Sequence, residues 1–139
     1  MKKSISFTIP CLFMLSCLFV SCAKDTGNNS DPTDARAKYL GKWSVSEVWT
    51  KLSYEVTISA DPNSESGVFI YNFANTGSSG TPAGALISGT TITLDPDQTI
   101  GEGWIVNGGG IYSNSKIIWN YTINDGATRI DATATYTKQ

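Results

Sequence analysis

Apolar and polar residues alternate along most of the chain from Lys42 onward. Residues 51–60 alternate without a fault, and the pattern puts five residues on one face: Leu52, Tyr54, Val56, Ile58 and Ala60. A period of two is typical of a β-strand with one buried and one solvated face. Two later segments have the same period, with inward sets Ile117, Trp119, Tyr121 and Ile123, and Thr128, Ile130, Ala132, Ala134 and Tyr136. The pattern predicts an all-β protein.

Segments rich in glycine, proline, asparagine and aspartate separate these runs. They predict about eight short antiparallel strands, with a turn at 107–110 and a further interruption near Asn114. The predicted strands are 42–50, 51–60, 67–74, 84–88, 90–95, 102–107, 110–123 and 127–137. Eight is the strand number of a closed up-and-down β-barrel, in which no strand edge is left unpaired. A β-sandwich has the same local signals and is the alternative.

A short helix is predicted in front of the first strand. Asp31, Pro32 and Asp34 supply an N-cap residue, a proline at the first helical position and an acid in the first turn. Gly41 ends this helix after about Leu40. Residues 23–33 contain no large apolar side chain, so we expect them to form a flexible tether.

The first residues resemble an export signal. Lys2 and Lys3 precede an apolar run over residues 5–20, which Ser21 and Cys22 follow. The end of this run is similar to the lipobox of bacterial lipoproteins. That resemblance implies cleavage before Cys22 and attachment of fatty acids such as palmitate to it. Cys17 is a competing site, and an ordinary secretory signal or an uncleaved anchor helix are the alternatives.

The domain organisation follows from this resemblance. Residues 1–21 are the predicted signal peptide, residues 22–33 a lipidated tether and residues 34–139 a β-barrel domain. The expected location is the cell envelope, as an outer-membrane lipoprotein with the barrel on the periplasmic or the surface side. The membrane, contacted through the N-terminal lipid, is the first expected partner.

Composition argues against several functions. Histidine is absent from the 139 residues, and Cys11 and Cys17 lie in the predicted signal, so neither imidazole nor a free thiol is expected in the barrel. Twelve acidic residues outnumber ten basic ones, which argues against nucleic-acid binding. Asp95, Asp97 and Glu102 could form a hydrolytic or calcium-binding group, but a solvated turn also explains them. We therefore predict no enzymatic activity, no cofactor and no metal site.

The segment Gly41-Lys42-Trp43 resembles the opening motif of the lipocalins. From Tyr39 to the C-terminus the chain is similar to small lipocalin-like, lipid-binding lipoproteins of Gram-negative bacteria. The resemblance implies a lipocalin-like barrel in which Trp43 plugs the closed end. It also implies that an arginine stacks over this tryptophan, and Arg129 is the arginine in position to do so.

Aromatic residues supply the candidate ligand site. Trp104 lies near Gly101, Gly103 and the glycines 108–110 in sequence, and this pattern predicts that Trp104 lies at the barrel mouth. Tyr54 and Trp119 are predicted to line the barrel interior. Ordinary core packing and a mobile glycine turn are the alternatives. The predicted function is binding of a small hydrophobic or amphipathic ligand. The alternative is an accessory lipoprotein that binds a protein or glycan through its outer surface.

Overall fold

Nine antiparallel strands, all in one sheet, dominate residues 34–139, the part of the chain that the computed structural model describes. The strands are β1 Gly41–Glu47, β2 Ser53–Ala60, β3 Gly67–Tyr71, β4 Ala83–Ser88, β5 Thr91–Leu94, β6 Gln98–Ile100, β7 Trp104–Ser113, β8 Lys116–Asn124 and β9 Arg129–Lys138. A single 3₁₀ turn, Phe73–Asn75, follows β3. The predicted signal peptide, Cys22 and the tether lie outside the described residues. Within residues 34–139, no helix has the length and apolar character needed to cross a membrane.

The sheet closes into a barrel because β5 pairs with β7. Successive strands pair from β1 to β5 and from β7 to β9, β9 pairs with β1, and Thr91–Thr93 of β5 pair with Gly109–Ile111 of β7. Eight strands thus form the ring, and β6 adds a short ninth strand beside the first half of β7. The predicted antiparallel barrel of eight strands is confirmed, and the sandwich alternative is wrong.

Alternating side chains from all sides fill the barrel. The predicted inward set of β8 is confirmed, since Ile117, Trp119, Tyr121 and Ile123 are all buried. On β2 the buried residues are Val56 and Ile58, whereas Leu52 precedes the strand and is 48% exposed. The one-face pattern is therefore correct within the strands and fails where a strand gives way to a loop.

The glycines 108–110 do not form the predicted turn, because they lie inside β7. The reversal comes later, at Asn114 and Ser115, whose φ angles of 51° and 58° suit a two-residue hairpin turn. A Cβ atom on Gly109 would lie 2.8 Å from the Ile92 carbonyl oxygen. The predicted boundary between strands 102–107 and 110–123 is thus wrong, because the glycines permit close strand approach rather than chain reversal, whereas the predicted interruption near Asn114 is confirmed.

The predicted N-terminal helix is not found in residues 34–40, which form turns, while Asp31 and Pro32 lie outside the described residues. The amide of Tyr39 donates to the carbonyl of Arg36 at 2.7 Å. The Arg36 guanidinium forms an ion pair with Asp34 and donates from Nη1 to the carbonyls of Asp61, Ser64 and Gly67. These bonds fix the segment against the loop before β3.

Candidate functional site

The two ends of the barrel are built differently. Antiparallel pairing brings residues 34–40, the turn 114–115 and Lys138 to one end, which we call the tether end. It brings Glu47, the loops 48–52 and 72–82 and the turn 125–128 to the other, which we call the Glu47 end. The chain enters the barrel at the tether end, where β1 begins.

Trp43 closes the tether end. Its side chain is fully buried, and its indole Nε1 donates to the Tyr39 carbonyl at 2.7 Å. The ammonium of Lys138 lies 4.8 Å from the centre of the Trp43 ring and also donates to the carbonyls of Lys38 and Leu40. Burial lowers the pKa of this lysine. A cation–π contact and the chain before β1 therefore cover the ring.

The predicted contact between Trp43 and Arg129 is wrong. Lys138 pairs with Trp43, whereas Arg129 begins β9 at the opposite end of that ten-residue strand, roughly 30 Å away. Arg129 is exposed and forms a 3.4 Å ion pair with Asp131. The cation over the tryptophan comes from the end of the last strand, and it is a lysine.

Glu47 is a charged side chain inside the barrel at the other end. It is the last residue of β1 and follows the inward positions Trp43 and Val45, so it too points inward and is only 2% exposed. The hydroxyls of Tyr54 and Tyr121 donate to Oε1, the former at 3.3 Å, and Thr50 donates to Oε2 at 2.7 Å. These three donors hold the carboxylate in place.

Two further polar atoms in the barrel core have no hydrogen-bond partner among residues 34–139. The hydroxyl of Tyr136 and the indole Nε1 of Trp119 are buried without a hydrogen bond. Burial raises the pKa of Tyr54, Tyr121 and Tyr136, and the Glu47 carboxylate raises all three further. The three tyrosines therefore remain protonated at neutral pH, and Tyr54 and Tyr121 act as donors to Glu47. Unpaired buried polar groups are rare and each is costly.

Phe73 packs against this group from the loop between β3 and β4. Its ring centre lies 5.2 Å from that of Trp119 and 4.9 Å from that of Tyr121. The neighbouring residues Asn72, Ala74 and Asn75 have φ angles of 62°, 52° and 56°, a left-handed conformation that is unfavourable for alanine above all. A locally strained segment thus holds an aromatic plug in the Glu47 end.

The three predicted ligand-binding residues have different positions. Tyr54 is half-buried and hydrogen-bonded to Glu47, and Trp119 is fully buried against Phe73 and Tyr136. Trp104 is half-buried at the start of β7, at the Glu47 end and at the margin of the core. The structure brings Tyr54 and Trp119 to the same group of aromatic side chains.

Sequence reasoning missed both Glu47 and Phe73. A signal for Glu47 was present, because it follows Trp43 and Val45 at the same period of two, and a charge at an inward position is unusual. The sequence carried no comparable signal for Phe73, since the position of its ring depends on a turn with three left-handed residues that are not glycine.

A second feature lies outside the barrel. A shallow groove of about 450 Å³ crosses the outer face of β7, β8 and β9, and its outward side chains are polar. The side chains that line it include Asn107, Asn120, Thr122, Arg129, Asp131 and Thr133. Within the described chain no group of three or more histidine, cysteine, aspartate or glutamate residues could hold a metal ion.

Comparison with known proteins adds no relative to this picture. The chain matches no family model, no curated protein and no solved structure. The structure shows an eight-stranded antiparallel barrel with a buried carboxylate at one end. The lipocalin-like resemblance stays a prediction from the sequence.

Proposed function

We propose that the protein is a membrane-anchored lipoprotein whose barrel binds a small hydrophobic or amphipathic ligand at the Glu47 end. The observation that carries the proposal is the buried Glu47 carboxylate together with the Tyr136 hydroxyl that it affects, packed beside Trp119, where neither the Tyr136 hydroxyl nor the Trp119 indole Nε1 has a hydrogen-bond partner among residues 34–139. Small-molecule sites are mostly apolar and aromatic, with a few polar groups that orient the ligand. This group has that composition.

The rim of the Glu47 end supports access for an apolar molecule. The loop after Glu47 exposes Val48, Trp49 and Leu52, which are 69%, 45% and 48% exposed. Tyr54 is half-buried and its hydroxyl donates to Glu47, so its side chain is partly exposed to solvent and also contacts the buried carboxylate. An amphipathic molecule could contact the apolar loop first and then the polar group behind it.

Ligand uptake tests this proposal directly. We expect the full-length protein in lipid nanodiscs to bind N-phenyl-1-naphthylamine saturably, at about one probe per chain, with quenching of tryptophan emission. Trp104→Ala should weaken binding because it removes aromatic area at the rim, whereas Ile118→Ala on the outer wall should not. Absence of saturable uptake above that of empty nanodiscs would refute ligand binding.

Anchoring is tested separately. Cys22→Ser should move the protein from the membrane fraction to the soluble fraction and abolish incorporation of labelled palmitate, because acyl chains on one cysteine provide the membrane affinity. Cys17→Ser is the matched control and should change neither result. Palmitate labelling that persists in Cys22→Ser and is lost in Cys17→Ser would show that the lipid is attached to Cys17 and not to Cys22.

An accessory role through the outer surface is the second candidate function. The polar groove over β7 to β9 favours it, because its amide, hydroxyl, guanidinium and carboxylate groups offer hydrogen bonds to a glycan or a protein. Asp131→Ala would weaken such binding and leave probe uptake at the Glu47 end unchanged.

A further inference from the structure

Glu47 is a buried acid without a basic partner in the part of the chain that the structure describes. The ion pairs among residues 34–139 join Arg36 to Asp34, Lys42 to Glu55 and Arg129 to Asp131, and none involves Glu47. Three hydroxyl donors satisfy its oxygens, but hydroxyls do not balance a negative charge. A buried carboxylate without a cation is costly, and a cation from outside would remove that imbalance.

Aromatic side chains occupy the surroundings where such a cation would lie. Tyr54 and Tyr121 bond to the carboxylate, and the ring centres of Trp119 and Tyr136 lie 5.6 Å apart. Phe73 fills the space among Tyr121, Trp119 and Tyr136. Aromatic faces attract ammonium groups, most strongly where water is excluded. The unpartnered Tyr136 hydroxyl also has free lone pairs that can accept an N–H hydrogen bond.

We infer that the Glu47 end binds the protonated amine of a cationic amphiphile, and that Phe73 occupies the ligand's place when the barrel is empty. This inference rests on the proposed ligand-binding function and names the ligand class. The amine pairs with Glu47 and lies against the aromatic rings, while the alkyl chain takes over the contacts of Phe73 and extends toward Val48, Trp49 and Leu52.

The loop that carries Phe73 is built to release it. Ala74, directly after Phe73, has a left-handed φ of 52°, so a displacement that lets Ala74 leave this conformation relieves backbone strain. Asn72 ties the loop to the barrel by donating to the Glu55 carbonyl at 2.8 Å. Gly77, with a φ of 97° and open space around it, follows the segment and permits a change of direction.

Charge therefore decides which amphiphiles bind. An alkylamine gains an ion pair with Glu47, a neutral alcohol of the same length gains only the apolar contacts, and an alkanoate meets a like charge. Calorimetric titration of the full-length protein in phosphatidylcholine nanodiscs with hexylamine, hexanol and hexanoate at pH 7 measures this order. We expect hexylamine to bind about tenfold or more tightly than hexanol, and hexanoate to bind not at all.

Two variants test the residues. Glu47→Gln should remove the preference for hexylamine over hexanol, whereas Glu102→Gln, an exposed acid in a turn at the same end, should leave it unchanged. Phe73→Ala should tighten hexylamine binding because the plug no longer competes; unchanged affinity in a folded variant would overturn its role as a plug.

The order of the three probes on the wild-type protein decides the ligand class even if Glu47→Gln does not fold. Equal affinities for hexylamine and hexanol would refute a cationic ligand and leave the proposed ligand binding standing. Absence of saturable binding by all three, together with no uptake of the naphthylamine probe, would refute both.

Discussion

Trp43→Ala is expected to lower the free energy of unfolding by about 3–5 kcal/mol, the range for truncation of a large buried aromatic side chain. The ring is fully buried, its Nε1 donates to the Tyr39 carbonyl, and the Lys138 ammonium lies over it. The change leaves a cavity at the tether end and removes the partner of a half-buried cation. Urea unfolding of the full-length protein, followed by circular dichroism, measures the loss.

Trp49→Ala is the matched control. Trp49 is 45% exposed in the loop after β1, so the same substitution there should change stability by only about 0.5 kcal/mol. Trp43→Phe keeps most of the volume but loses the indole donor, and we expect an intermediate value. Equal losses for Trp43→Ala and Trp49→Ala would show that Trp43 does not close the tether end.

The strands with clear alternation could be predicted from sequence. β2 and β9 were predicted at 51–60 and 127–137 and are found at Ser53–Ala60 and Arg129–Lys138. On β9, Ala132, Ala134 and Tyr136 are buried as expected. Alternation succeeds there because each inward side chain meets a core that the other strands also fill. The predicted count of eight strands favoured a closed barrel but left a β-sandwich open, and the pairing of β5 with β7 decides between them.

Local signals failed where distant parts of the chain decide the structure. The glycines 108–110 have the composition of a turn, but Gly109 pairs with Thr93 on one side and Asn120 on the other. Nothing near them in sequence reveals that two strands must approach there. β6 was missed for a similar reason, because it is three residues long and pairs only with the start of β7.

In the candidate site, too, local periodicity predicts which residues point inward, whereas contacts between distant residues depend on strand pairing. Tyr54 and Trp119 could be placed inside the barrel from their period alone, but the contact of Trp43 with a cation depends on strand register. Register puts Lys138 beside Trp43 and Arg129 at the other end of β9. A resemblance indicates which residue types meet, whereas the pairing of β1 with β9 decides which lysine or arginine is available.

Gly110→Val is expected to have an effect comparable to that of Trp43→Ala, for the opposite physical reason. A Cβ atom at Gly110 would lie 2.7 Å from Cγ2 of Ile117 and 3.0 Å from Cδ2 of Trp119. Both neighbours are fully buried, so neither can turn into solvent to make room. Overpacking of a close-packed core usually costs about 1–3 kcal/mol and occasionally more, and we expect a loss of about 3 kcal/mol.

The position of Gly110 makes this loss a test of the packing between β7 and β8. Gly110 pairs with Ile92 of β5 on one side and Trp119 of β8 on the other, but the three atoms nearest to an added Cβ all belong to β8, so a branched side chain there pushes β7 away from β8. Ile111→Val, one residue further on and 60% exposed, is the control and should leave the urea midpoint nearly unchanged. The urea midpoint of Gly110→Ala should lie between those of Gly110→Val and Ile111→Val, because the strain that the methyl group adds to the folded state outweighs the lower entropy of the unfolded chain. If Gly110→Val unfolds at the wild-type urea concentration, β7 and β8 do not pack against each other at Gly110 as closely as the structure shows.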